Sequence, residues 1–186
     1  RELDDDGRDE MLETLVRSSS RLARLVEDLL TASRLEAGVL EVRPQVVQLT
    51  PAIRSAVADF DAAIDVHCPP DACAAVDPLR FHQMLGNYLT NAIRHGAAPV
   101  TIEVDSNEAH VDITVDDRGG GVDESVRDRL FERFVHGGHE GSIGLGLYIV
   151  RELARAHGGD AFLERSSPAG SRFVLRLPTG ARSAVS

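Results

Sequence analysis

Apolar or small residues near the start of the chain fall at Leu12, Leu15, Ser19, Leu22, Val26, Leu29 and Ser33, an unbroken alternation of three and four. That spacing is the seam of a helix that packs against other helices, and Leu25 and Leu30 widen it. A helix packed on its own domain is the plainer alternative, but the regularity favours a coiled-coil or bundle partner. The charged residues 1–10 predict a frayed start, and Gly38 predicts the stop soon after Arg34-Leu35-Glu36-Ala37. Pro44 to Thr50 reads as a short strand. Thr50-Pro51 reads as an N-cap with proline at the first helical position, opening a helix to about Phe60. Ile64 to Val76 reads as two short strands around Pro69-Pro70. Asp77-Pro78 opens a helix with apolar residues at Leu79, Met84, Leu85, Tyr88, Leu89, Ala92 and Ile93, ending near Gly96. Val100–Asp105 and His110–Val115 alternate as a hairpin around Asn107-Glu108. Leu145–His157 reads as a helix stopped by Gly158-Gly159, and Ala161–Arg165 with Arg172–Leu177 as a last strand pair. The fold class is α+β: one long helix, then one layer of about five strands with three helices on one face.

Between the hairpin and the last helix lies a stretch bracketed by glycines, Asp116 to Val150. It opens Asp-Asp-Arg-Gly-Gly-Gly and closes Gly-Ser-Ile-Gly-Leu-Gly-Leu. Glycine lets a backbone turn sharply and approach a ligand closely. The second set stands where a helix begins, and the unpaired N–H groups of a helix start suit a phosphate chain. The charged segment between, carrying Phe131 and Phe134, reads as a lid with two apolar anchors. A nucleotide would lie between Asp117 and Gly146 beneath it.

Composition narrows the classes. A hydrophobic share of 42% with 27% charged residues is ordinary for a globular chain. The formal charge of −10 argues against nucleic acid or an anionic membrane surface as partner. All 20 basic residues are Arg, which reads as compositional bias rather than function. No run approaches the roughly 20 apolar residues of a membrane span, and there is no signal-peptide pattern. The start at Arg1 suggests a piece of something longer. Cys68 and Cys73, in CPPDAC, read as free thiols of a reducing compartment rather than as metal ligands.

On the helix after Asp77, Asn87 and Asn91 are four apart and share a face. Two amides on an apolar helix are either caps and buried hydrogen bonds or oxygen ligands for magnesium, whose other sites go to phosphates and water. Arg94 would reach the same phosphates, and His95 could flank the nucleotide. Asp117, at a strand end before Gly119 and Gly121, is either a turn residue or the acceptor of adenine's exocyclic amino group.

Taken in order, these motifs resemble the catalytic, ATP-binding half of bacterial two-component sensor histidine kinases. Asn87–His95 resembles the N box, Asp117–Gly121 the G1 box, Phe131–Phe134 the F box and Gly141–Leu147 the G2 box. Gly170-Ser171 with Phe173 resembles the last, weaker glycine motif. Leu22–Gly38 resembles the end of the second dimerisation helix. The resemblance implies the two-layer α/β sandwich shared by histidine kinases, gyrase, heat-shock chaperones and mismatch-repair ATPases. It divides the chain into residues 1–38, the second helix of a dimerisation and phosphoacceptor hairpin, and residues 44–180, the ATP-binding domain. It implies ATP and magnesium, with Asn87 and Asn91 on the metal and Asn87 and Arg94 as catalytic residues. Asn87, Asn91, Arg94, His95, Asp117, Gly119, Gly121, Phe131, Phe134, Gly144, Leu145, Gly146 and Leu147 would hold the nucleotide.

The partners implied are a phosphoacceptor histidine helix, a response regulator whose aspartate receives the phosphoryl group, and a second copy when full length. The implied location is the cytoplasm, or the cytoplasmic part of a membrane-bound sensor. There are departures: Arg94 stands for the family's Lys, His95 for its Tyr, and Ser142 for the second glycine of G2. None of the seven histidines lies in the His-acidic-x-x-x-Pro context of a phosphoacceptor. The acceptor is therefore expected outside this chain. A stand-alone ATPase would carry Glu at Asn87, because an amide cannot act as general base. A degenerate or split kinase, or a non-catalytic binding module, is the other alternative.

Overall fold

The computed structural model describes residues 5–135 and 144–180. The chain divides into two compact units, Arg1–Leu40 and Glu41–Ser186.

The first unit is helix α1, Asp5–Glu36. It begins earlier than the charged start suggests. Its end is built as expected: Gly38 adopts φ +64°, its N–H bonds the Leu35 carbonyl, and Val39 N–H bonds that of Arg34. This pair of bonds satisfies carbonyls that a helix end leaves open, in a conformation glycine adopts without strain. Leu12, Leu15, Leu22, Val26 and Leu29 of the seam are all more than half exposed.

The second unit carries a five-stranded sheet and a small ribbon. The ribbon pairs β1 (Gln45–Gln48) with β3 (Cys73–Val76), antiparallel. The main sheet has the order β2-β4-β5-β7-β6, formed by Ile64–His67, Val100–Ser106, His110–Asp116, Gly170–Pro178 and Asp160–Ser167. Only β2 on β4 is parallel. The two strands read around Pro69-Pro70 therefore go to different sheets. Helices α2 (Leu49–Val57), α3 (Pro78–His95) and α5 (Gly146–Ala156) form the second layer, and α4 is the short turn Glu124–Arg127.

The alternation in the strands decides the faces. Ile102, Ile113, Val115, Phe173 and Leu175 are buried on one side, against Phe81, Leu85 and Leu89 of α3 and Ile149 and Leu153 of α5. Each such side chain removed from water contributes about 1.5–3 kcal/mol. Tyr88 lies among them and donates its hydroxyl to the Val174 carbonyl at 2.9 Å, so its one polar atom is satisfied. On the other face Arg176 makes a paired contact with Asp112 across the strands, at 2.7 and 2.6 Å. Leu79 and Ile93 of α3 are exposed and do not share the apolar stripe.

The start of α2 differs from expectation. The helix opens at Leu49 after Gln48, which provides no side-chain cap. Thr50 turns its hydroxyl to Cys68 Sγ (3.3 Å) and the Pro69 carbonyl (3.4 Å) instead. Pro51 then sits third in the helix, where no intrahelical partner exists for an N–H, so nothing is lost. The Leu49 N–H is satisfied by the Ala72 carbonyl from the ribbon's side. The helix stops at Val57, short of Phe60. Helix α3 starts as read: Asp77 accepts from the Leu79 and Arg80 N–H groups, with Pro78 at the first position.

Candidate nucleotide site

Helix α3 runs between the two glycine sets. Near its middle, Asn87 Nδ2 donates to the Gly146 carbonyl at 3.3 Å. The Asn87 side chain also lies 3.7–3.8 Å from where a Cβ on Gly146 would stand. At its end, Gly96 packs on Asp117: a Cβ there would fall 2.5 Å from Asp117 Cβ and Cγ. The rise of a helix puts about 14 Å between these two points. Asn91 and Arg94 lie between them on the side that Asn87 starts. Asn91 is half-buried and its side chain makes no hydrogen bond among the described residues, while Arg94 and His95 are exposed.

Asp117 follows the end of β5 and is buried. Its Oδ1 accepts the Gly119 N–H at 2.7 Å. Its second oxygen takes no hydrogen bond among the described residues. Burial raises its pKa above the ordinary carboxylate range, while the bond from Gly119 works the other way. Two neighbouring glycines are dictated by space. Gly119 has Gly96 Cα at 2.6 Å from its missing Cβ, and Gly170, at φ +126°, has the Asp117 carbonyl at 1.9 Å. Asp117 N–H bonds the Ser171 carbonyl, and Arg118 N–H that of Ala97. The carboxylate is thus fixed from α3, β7 and its own turn. Its second oxygen is left as an acceptor, beside backbone that passes too close for side chains at 96, 119 and 170.

Gly121, at φ +84°, passes against the Ser167 carbonyl. The Val122 N–H bonds Ser166 Oγ at 2.7 Å, and Arg127 Nη2 donates to the Ser166 carbonyl at 2.8 Å. The F-box residues lie beyond α4. Phe131 is half-buried with the Arg151 guanidinium 5.4 Å from its ring centroid. Phe134 is 54% exposed and has φ +61°, so it is not an apolar anchor. It acts through its backbone: its N–H bonds the Gly144 carbonyl at 2.9 Å. Gly144 has φ +71°, and its missing Cβ would meet the Val135 carbonyl at 2.5 Å. Leu145 is the residue preceding α5, and Gly146 and Leu147 open the helix. Gly141 and Ser142 of the G2 box, and the middle of the lid, lie outside the described residues.

A family model described as histidine kinase-, DNA gyrase B- and HSP90-like ATPase matches residues 76–181, more than half of the chain. The chain belongs to this ATPase family. It is 38% identical to the sensor-type histidine kinase PrrB of Mycobacterium tuberculosis, over 95% of this chain and 41% of that protein. It is 34% identical to the signal transduction histidine-protein kinase AfsQ2 of Streptomyces coelicolor, over 91% of this chain and 34% of that one. The chain thus spans about two fifths of the length of the curated relatives it matches. Among solved structures, the ATP-binding domain of M. tuberculosis PrrB superposes with a TM-score of 0.61 at 34% identity, covering 73% of this chain and 97% of that one. Full-length ShkA in complex with AMPPNP gives 0.75 at 27% identity, over 96% of this chain and 40% of that one.

As a member of the ATPase family, the chain has the two-layer sandwich that its motifs suggested. The structure brings the N box to the start of α5 through Asn87, and to the G1 turn through Gly96. Reading the sequence placed Gly96 only as a helix stop and Gly170 as part of a weak motif. Their contact with Asp117 is tertiary and leaves only the bare glycines as a trace. Ser166 was missed, since a lone serine at a strand end carries no pattern.

Proposed function

We propose that this ATPase-family domain binds ATP with magnesium and passes the γ-phosphate to a histidine outside the chain, as part of a two-component sensor histidine kinase. The observation that carries the reading is Asp117: a buried carboxylate with one oxygen tied to Gly119, walled by Gly96 and Gly170, and about 14 Å along α3 from the Asn87–Gly146 contact. The remaining oxygen suits adenine's amino group. Guanine would set its O6 carbonyl against that oxygen, acceptor against acceptor, and be repelled.

The Gly144–Leu147 helix start suits the phosphates, because its outward N–H groups and dipole favour negative charge. Among the described residues no cluster of three or more His, Cys, Asp or Glu could hold a metal ion. The amide oxygens of Asn87 and Asn91 carry no hydrogen bond among these residues. They fit a hard cation that takes few protein ligands and completes its shell with phosphates and water. Asn87 and Asn91 would hold magnesium, which when bound neutralises phosphate charge. Arg94 adds positive charge from the exposed end of the same face.

What these residues do is position and stabilise charge. Asn87 also decides between hydrolysis and transfer. An amide cannot take a proton from water, and loss of a general base costs about 10²–10⁴ in rate. The acceptor is then a protein histidine on a dimerisation helix, with a response-regulator aspartate next in line. Residues 1–38 act as the second helix of that hairpin in a homodimer, and residues 44–180 as the ATP-binding domain. The proposed location is the cytoplasm, or the cytoplasmic part of a membrane-bound sensor. Among the described residues no helix is long and apolar enough to cross a membrane.

Calorimetric titration and phosphate release test this together. The chain alone is expected to bind ATP with magnesium, to hydrolyse it slowly, and to acquire no label from γ-labelled ATP. Brisk hydrolysis by the lone chain would favour the stand-alone ATPase, and failure to bind any adenine nucleotide would favour a non-catalytic module.

A further inference from the structure

The first turn of α5 is gripped from two sides, and one of the grips uses side chains given no role so far. From α3, Asn87 holds the Gly146 carbonyl at 3.3 Å. From the F-box segment, the Arg133 guanidinium carbon stands 5.7 Å from the Tyr148 ring centroid and 5.1 Å from that of Phe134. One turn further along α5, Arg151 stands 5.4 Å from the Phe131 ring. The two segments therefore interdigitate with exchanged roles. The F-box segment offers a cation to an aromatic ring of α5, and α5 offers a cation to an aromatic ring of the F-box segment. The backbone closes the same junction: Phe134 N–H bonds the Gly144 carbonyl at 2.9 Å, with both residues at positive φ. A bulky residue such as phenylalanine adopts that conformation at a cost, so something must hold it there. The stack of Arg133 on its ring and on Tyr148 is placed to do so.

We infer that Arg133 and Tyr148 are positioning residues for the phosphate end of the site: their stack locks the Phe134–Gly144 junction and the first turn of α5, so that the helix start is formed before nucleotide arrives. The inference rests on the nucleotide reading given above and deepens it. Neither residue needs to touch the adenine. Their effect should fall on the triphosphate and leave the Asp117 end alone.

Tyr148→Leu removes the ring and keeps an apolar side chain on the helix. Tyr148→Phe keeps the ring and loses only the hydroxyl. A cation–π contact of this kind corresponds to about a three- to tenfold change in an equilibrium. Tyr148→Leu is therefore expected to lose about three- to tenfold in affinity for a non-hydrolysable ATP analogue, with affinity for adenosine and melting temperature near those of the wild type. The Phe134 amide should exchange faster by a similar factor in the nucleotide-free chain. Tyr148→Phe should restore both readouts, and Arg133→Gln should match Tyr148→Leu. If Tyr148→Leu keeps the wild-type ratio of analogue to adenosine affinity and the wild-type exchange of Phe134, the positioning role is wrong while the nucleotide reading stands. If Tyr148→Phe is as defective as Tyr148→Leu, the stack is not the cause. If the wild type binds no analogue, the nucleotide reading falls and this inference falls with it.

Discussion

At the scale of residues, the adenine-binding role proposed for Asp117 comes with a folding cost. Burial is the main cause of its raised pKa. The folded chain then binds that proton more tightly than the unfolded chain does. The associated stabilisation is fully present below the unfolded pKa and is lost as pH rises through the folded one. At neutral pH the ionised group therefore costs stability. Asparagine can still accept the Gly119 N–H but carries no charge. Asp117→Asn should melt at or above the wild-type temperature at neutral pH, with the gap shrinking on acidification, as thermal melts across pH would show. The same variant should bind ATP more weakly by about 1–3 kcal/mol, read by calorimetry. Gly170→Ala is the converse case. Its Cβ would fall 1.9 Å from the Asp117 carbonyl, at a φ that side chains resist. It should destabilise by about 1–3 kcal/mol or more in denaturant melts, because backbone must move. Asp117 was legible because a carboxylate before glycines is a local pattern. The need for glycine at 96 and 170 was not, because the atoms that forbid a side chain come from elsewhere in the fold.

At the scale of elements, what could be read depended on whether the signal was local. Helix α3 has its cap within its own sequence: Asp77 receives the Leu79 and Arg80 N–H groups, and also that of Arg43. Burial opposes ionisation of Asp77, but these backbone donors prevail and hold its pKa below the ordinary value. The stabilisation it gives is present above the unfolded pKa and lost as pH falls through the folded one. Asp77→Ala should cost about 0.5–2 kcal/mol at neutral pH, and denaturant melts should show the difference narrowing in acid. Thr50-Pro51 carried the same local signal and misled, since Thr50 bonds Cys68 and Pro69, and tertiary contacts serve the helix start instead. Helix α1 was legible from its seam, and its exposed leucines leave apolar surface to be covered. Sedimentation should show weak, concentration-dependent self-association that is lost when residues 1–36 are removed. An unchanged association state would count against the seam as an interface.

At the scale of the whole molecule, the strand alternation and three amphipathic helices were enough to set one sheet under one helical layer. The order β2-β4-β5-β7-β6, with a separate ribbon, was not. Strands as short as Ile64–His67 and Cys73–Val76 carry too little pattern to name their partners. The domain carries the proposed nucleotide site on α3 but, in sequence, no histidine in a phosphoacceptor context. The proposed reaction therefore runs between this domain and a helix supplied from outside it. The direct measurement supplies that helix on a longer version of the protein whose own nucleotide site is weakened by Asp117→Asn, with ATP held at a level too low for that weakened site. The intact chain is added with γ-labelled ATP and magnesium. Label is expected on the longer partner, stable in base and labile in acid as phosphohistidine is, and none on the chain itself. Label that resists acid, or a partner left unlabelled while the intact chain binds ATP normally, would contradict it.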